Sequence, residues 1–244
     1  MNVTCETVDT GPQRLLVYAP LGAPRQRLPG VVAWPDIFQH TGPHRRLCAR
    51  LAGHGYLVAT PEHYGRFEPR GTALDFELDR QRALDDSARL ELAAVEEDLD
   101  AAVDFLRGHP RVEPTALAAC GWCLGGHLAF KAALRPDLRA TACFYATGLH
   151  TDTLGGAQGT ALTLAEAARI QGRLLLVWGT RDPHIPREGR QRIQAALARA
   201  GVEAEVRLYD AEHTFMRDEG TRYEPVAADQ AFGDLLRLLR PLRG

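Results

Sequence analysis

Residues Gly121-Trp122-Cys123-Leu124-Gly125-Gly126 stand between an apolar run, Ala116–Cys120, and a helix-forming run over 126–135. A Gly-x-Cys-x-Gly-Gly hexapeptide at such a junction reads as a sharp strand-to-helix turn that presents one side chain. The glycines sit where neighbouring backbone must pass closely. The presented side chain is a thiol, and only its ionised form is a strong nucleophile. Two questions follow: what fold holds the turn, and which other residues activate Cys123.

Working outward, short apolar runs alternate with longer helical patterns along the whole chain. The strand candidates are Arg14–Tyr18, Gly30–Trp34, Tyr56–Thr60, Ala116–Cys120, Ala140–Tyr145, Arg173–Trp178 and Ala204–Tyr209. Most are continuous apolar stretches, the pattern of strands covered on both faces. Helix candidates fall near 43–53, 90–107, 126–135, 187–200 and 226–239. In the second of these Leu92, Val95, Leu99, Ala102, Val103 and Leu106 repeat at three and four, which gives one buried stripe. Such alternation predicts an α/β fold with a mostly parallel central sheet and helices on both faces. The length of 244 residues suits one domain over 1–244. The segment Gly155–Thr160, rich in Gly, Ala and Gln, reads as a long connection rather than a flap over a site.

Composition narrows the function. A net charge of −2 argues against a nucleic-acid binder, which carries a concentrated basic surface. No apolar stretch approaches the ~20 residues that cross a bilayer. Met1-Asn2-Val3-Thr4-Cys5-Glu6 lacks the basic flank and apolar core of a signal peptide. Five unevenly spaced cysteines do not make a secreted disulfide framework, so the expected location is the cytoplasm.

A nucleophile on such a turn needs an acid and a histidine on later strand ends, in that order. Leu174-Leu175-Leu176-Val177-Trp178-Gly179 leads into a turn carrying Asp182, and Glu205-Val206-Arg207-Leu208-Tyr209 leads to His213. Cys123, Asp182 and His213 thus form a candidate catalytic triad. His184 shares the Asp182 loop and cannot come from the following strand end, so it is a decoy. His40, His44, His54, His63, His109, His127 and His150 fall in loops or helices and read as solvated or structural. Cys123 and His127 are four apart, but two ligands fall short of the three or four that zinc takes, so no metal is expected. Cys120-Gly121-Trp122-Cys123 is also a Cys-x-x-Cys, a redox pattern at strand-to-helix junctions. Against that use, Cys120 ends an apolar strand and points to the core, and a redox site has no need of Asp182 or His213.

With these residues placed, the chain resembles the dienelactone hydrolase family, the cysteine branch of the α/β-hydrolase fold. The resemblance runs over nearly the whole length. Its most specific parts are Gly121–Gly126, Ala211–Phe215 and Gly71-Thr72-Ala73-Leu74-Asp75 with Arg80-Gln81-Arg82. It implies hydrolysis of a small, carboxylate-bearing unsaturated lactone without metal or organic cofactor. It also implies that two arginines hold the substrate carboxylate, at positions matching Arg82 and Arg217. The chain departs from the family twice. The glutamate that takes up the thiol proton is replaced by Asp36, one methylene shorter. The tyrosine and tryptophan that follow the second arginine of the Arg80–Arg82 stretch are replaced by Asp86 and Arg89.

The mechanism these residues imply is acyl transfer through a thioester. His213, steered by Asp182, holds Cys123 as thiolate, and the backbone N–H groups of Leu124 and Ile37 receive the oxyanion. A lactone's enol leaves without a strong acid, which would suit a largely neutral His213. The expected partner is a small-molecule ester or lactone, with neither nucleic acid nor membrane, and the chain would act as a monomer or small homo-oligomer. Two other readings stand beside this one: a broad carboxylesterase or thioesterase, and a non-catalytic thiol-sensing or ligand-binding protein on the same fold.

Overall fold

Apolar runs without alternation need cover on both faces, and the central strands have it. In the computed structural model, which describes residues 2–11, 13–22, 27–155 and 161–243, Val31–Ala33, Leu117–Cys120 and Leu175–Trp178 are fully buried. They belong to β3 (Leu28–Trp34), β5 (Val112–Trp122) and β7 (Arg173–Gly179). With β1 (Val3–Asp9), β2 (Arg14–Pro20), β4 (Leu57–Pro61), β6 (Leu138–Phe144) and β8 (Ala204–Tyr209) they form one sheet, ordered β1-β2-β4-β3-β5-β6-β7-β8. Strands β3 to β8 run parallel, while β2 is antiparallel to both β4 and β1. This is the expected mostly parallel α/β sheet.

Each expected strand is present, and one more was not legible. Val3–Asp9 pairs residue for residue with β2 through Val3↔Pro20 to Asp9↔Arg14. It is a mostly exposed edge strand, so it carries no apolar run to announce it. Of the expected Gly155–Thr160 connection only Gly155 lies within the described residues.

The helices fall into two groups that sandwich the sheet. Helix α1 (Gly42–Gly53) meets α6 (Pro225–Leu239) where Arg50 pairs with Asp229 at 2.8 Å and lies 4.0 Å above the Phe232 ring. Helix α3 (Leu92–Gly108) meets α4 (Leu124–Ala132) and its C-terminal extension, where Glu96 takes Lys131 at 2.7 Å and Arg135 at 2.8 Å. The predicted stripe of α3 is buried at Val95, Leu99, Ala102, Val103 and Leu106, while Leu92 is only partly covered. Helix α5 (Arg187–Arg199) bridges β7 and β8, and α2 (Arg80–Ala88) is a short polar helix ahead of α3. No helix among the described residues is long and apolar enough to cross a membrane.

Leu99 is fully buried between α3 and the sheet, so Leu99→Ala removes core volume without touching the turn at Cys123. We expect urea denaturation to report a loss of about 2–5 kcal/mol with an unchanged slope.

Candidate active site

β5 ends at Trp122 and α4 begins at Leu124, so the whole turn falls on Cys123. Its backbone sits at φ 57° and ψ −119°, a conformation that costs a non-glycine residue about 1–3 kcal/mol. The surroundings impose it. A β-carbon at Gly121 would collide with the Gly125 carbonyl, and one at Gly125 with the carbonyls of Trp34 and Pro35. One at Gly126 would lie 2.8 Å from the Phe144 carbonyl oxygen. The Cys123 N–H donates to Phe144 O at 3.0 Å, and Cys123 O accepts from Gly126 N at 3.0 Å and Thr147 N at 3.2 Å. The residue is 7% exposed and lines a cavity of about 470 Å³. Cys120 is fully buried, and burial pushes its thiol up; it lies in the core, as expected.

Two strand ends carry Asp182 and His213. Gly179 closes β7, and a β-carbon there would collide with the Ala211 carbonyl, so the chain leaving β8 folds directly over it. Arg181 N donates to Ala211 O at 3.1 Å across the same gap. The Asp182 carboxylate is thereby brought to His213: Oδ2 accepts from Nδ1 at 2.7 Å, and Oδ1 accepts from His184 N at 2.8 Å. Nδ1 carries a proton in this bond, which leaves Nε2 as the other working nitrogen. Burial alone would lower the His213 pKa. The charge of Cys123 and hydrogen bonds to Asp182 and Cys123 outweigh it and push the imidazole up to about 9. For Asp182 burial works to raise the pKa, but the hydrogen bond and charge of His213 hold the carboxyl below the usual range. A largely neutral His213 was expected; the site favours the imidazolium instead. His184 packs edge-on against His213 with ring centroids 4.7 Å apart, and it serves Asp182 through its backbone.

The loop after β3 faces the elbow. Ile37 and Leu124 both line the cavity with Cys123. Asp36 lines it too, with Oδ1 accepting from Phe38 N at 2.9 Å, so the shorter side chain caps its own loop. Burial pushes its carboxyl up against the opposing charge of Arg217. His63, expected to be solvated or structural, holds this loop from behind. Its Nε2 lies 3.0 Å from Pro35 O and 3.2 Å from Asp36 O. Both partners are acceptors, so Nε2 carries the proton, and burial keeps the ring neutral by pushing its pKa down to about 4.

The arginines separate sharply. Arg217 lines the cavity with its guanidinium carbon 4.0 Å from the Phe76 ring centre and 5.4 Å from that of Phe38, and it donates to Thr214 Oγ1 at 2.8 Å. Arg82 points elsewhere. Its Nε donates to Glu68 at 3.0 Å and its second arm pairs with the same carboxylate, outside the cavity wall. Arg80 lines the wall in its place. Positions two apart on a helix point roughly 200° apart, so only one of the two can face the cavity. Asp86 is buried against Arg89 at 3.4 Å, and Arg89 lies over Phe67 at 4.1 Å. The aromatic lining comes instead from Phe38 and Phe76, packed edge to face at 4.9 Å. Each of these phenylalanines sits in a loop, where no periodicity in the sequence orients it toward the cavity.

His127 does not turn toward Cys123 as a ligand: Nδ1 lies 3.2 Å from Thr147 O and Nε2 2.9 Å from Thr163 Oγ1. Among the described residues no group of three or more His, Cys, Asp or Glu side chains is arranged to hold a metal.

Known proteins resemble the chain over most of its length. The carboxymethylenebutenolidase of Pseudomonas putida is 29% identical over 245 residues, covering 99% of this chain and 97% of that one. The carboxymethylenebutenolidase of Rhodococcus opacus is 32% identical over 192 residues, covering 76% and 69%. Among solved structures, a dienelactone hydrolase-like promiscuous phosphotriesterase from metagenomic libraries superposes with a TM-score of 0.77 at 22% identity, covering 100% and 99%. The apo form of Thermogutta terrifontis esterase 2 gives 0.69 at 18% identity, covering 98% and 94%. These two establish likeness of fold. The model of the dienelactone hydrolase family matches residues 16–242, and the chain belongs to that family, with its α/β-hydrolase fold.

Proposed function

We propose that the chain hydrolyses a small, carboxylate-bearing ester or lactone through a thioester on Cys123, with His213 and Asp182 completing a triad. Its class, a carboxylic ester hydrolase, follows from the family. The observation that carries the finer reading is the 2.7 Å bond from His213 Nδ1 to a buried Asp182, with His213 and Cys123 lining one cavity.

In the acylation step the Cys123 thiolate attacks the carbonyl carbon, and the oxyanion is received by the N–H groups of Leu124 and Ile37. Such a donor is worth about 2.7–4 kcal/mol of barrier. Collapse breaks the carbon–oxygen bond of the ester, and the leaving oxygen takes the proton from the His213 imidazolium. The now neutral His213 accepts a proton from a water that attacks the thioester. Collapse of this second adduct releases the carboxylic acid and restores the thiolate beside a protonated histidine. Arg217, 4.0 Å from the centre of the Phe76 ring, and Arg80 across the wall supply the charge that attracts an anionic substrate, and a guanidinium matches a carboxylate in shape.

A hydrolysis screen of carboxylate-bearing lactones against neutral esters of equal size tests this reading. Preference for the anions supports it, equal rates indicate a broad esterase, and acylation without turnover indicates a thiol sensor.

Three outcomes follow from the geometry. Cys123→Ala should abolish turnover and His213→Ala should cost several orders of magnitude. Adding Asp182→Asn to the latter should cost little more, because members of a triad act as a unit; single-turnover kinetics read this directly.

The pH profile of kcat/KM should fall as pH rises through about 9, where the imidazolium that protonates the leaving group is lost. Asp182→Asn should move that fall to lower pH, since the carboxylate is one of the groups holding the proton.

Charge-assisted contacts are worth about 1.5–3 kcal/mol, so Arg217→Gln should raise KM for an anionic lactone about tenfold to a hundredfold while sparing a neutral ester. Arg80→Gln should lower the same anionic-to-neutral ratio, whereas Arg82→Ala should leave it unchanged.

A further inference from the structure

The nucleophile has a neighbour outside the triad. Thr147 follows β6, lines the cavity, and its Oγ1 lies 3.6 Å from Cys123 Sγ. The contact is held from both ends. Thr147 N donates to Cys123 O at 3.2 Å, which ties the two residues together through their backbones. On the far side, Thr147 O meets Nδ1 of the fully buried His127 at 3.2 Å. A carbonyl only accepts, so Nδ1 carries the proton, and Nε2 is left to accept from Thr163 Oγ1 at 2.9 Å. Burial pushes this imidazole down to about 3, which keeps it neutral and fixes that tautomer. A helix residue one turn beyond Cys123 therefore anchors the threonine whose hydroxyl touches the sulfur. The β-branched side chain has few rotamers, so the hydroxyl does not wander from this position.

Resting on the reading of Cys123 as nucleophile, we propose that Thr147 is a further catalytic residue, whose hydroxyl donates a hydrogen bond to the Cys123 thiolate and stabilises it before attack. A thiolate has lone pairs and no proton, so beside an ionised Cys123 the hydroxyl acts as the donor. The bond is made in the resting enzyme and loosens as sulfur gives up its charge to the carbonyl carbon. Its expected effect is thus on how much thiolate is present rather than on the intrinsic attack.

The test is the pH profile of iodoacetamide alkylation of Cys123, followed by peptide mass spectrometry with Cys123→Ala as blank. Rates are compared below the midpoint of the parent's profile, where most of the sulfur is still thiol. Thr147→Val removes the hydroxyl and keeps the shape. Losing a charge-assisted bond lowers the ionised fraction about tenfold to a hundredfold, while the more basic thiolate regains roughly half of that on a logarithmic scale. The net expectation is alkylation slowed roughly three- to tenfold. Thr147→Ser should stay close to the parent rate, and Thr147→Ala replaces the valine variant should that one not fold. Unchanged or faster alkylation in Thr147→Val overturns the proposal, the latter because the hydroxyl would then be accepting the thiol proton. Equal slowing in Thr147→Ser and Thr147→Val also overturns it, since the methyl group would be what matters. Alkylation needs no ester turnover, so failure of the hydrolase reading and failure of this one are separately visible.

Discussion

The backbone of Cys123 sits where a side chain is unwelcome, and four pieces of chain crowd it into that position. The end of β5 leads in, the first turn of α4 leads out, and the loop after β3 presses on Gly125 while the end of β6 presses on Gly126. Each glycine of the elbow meets a carbonyl where any larger residue would carry a β-carbon. The strain is local and of order 1–3 kcal/mol, and it is overcome by packing spread across four elements of the core. Its result is geometric. Cys123, Leu124 at the start of α4 and Ile37 of the β3 loop all line one cavity.

Electrostatics at this point is a contest between burial and pairing. His213 is 4% exposed, and desolvation alone would strip its proton. A buried carboxylate on one side and a sulfur on the other reverse the outcome, and the imidazolium is favoured to about pH 9. The sign matters chemically. In the proposed mechanism a protonated histidine would support the thiolate before attack and hold a proton for the leaving oxygen after it, so the reaction would not depend on a leaving group that needs no acid. Asp36 answers the same physics differently: burial pushes it toward its neutral form, and the charge of Arg217 and the bond from the Phe38 N–H do not fully offset this.

Cys123 and Asp182 could be nominated from the sequence because each follows a buried apolar strand, and His213 because it follows β8, a partly covered strand of the same parallel sheet, whose strand ends meet at one edge. The strands with apolar runs were legible for the same reason, whereas Val3–Asp9 was not, lying exposed at the sheet edge. Helix phase hid the choice between Arg80 and Arg82: both belong to one polar stretch, and only the orientation of α2 turns Arg80 to the cavity and Arg82 to Glu68. His63 and Thr147 lacked any signal, since their roles depend on carbonyls and a sulfur brought close by other elements. Loop residues such as Phe38 and Phe76 form the aromatic wall by tertiary placement alone.

The central claim is that acyl groups pass through the sulfur of Cys123. Rapid mixing with an activated ester of a carboxylate-bearing acyl group, acid quenching within the first turnover and peptide mapping would test it most directly. The expected result is one acyl mass on the peptide containing Cys123, cleaved by hydroxylamine as a thioester is, and decaying at the steady-state rate. An acyl group on a different residue, or full hydrolysis with no adduct in Cys123→Ala, would contradict it.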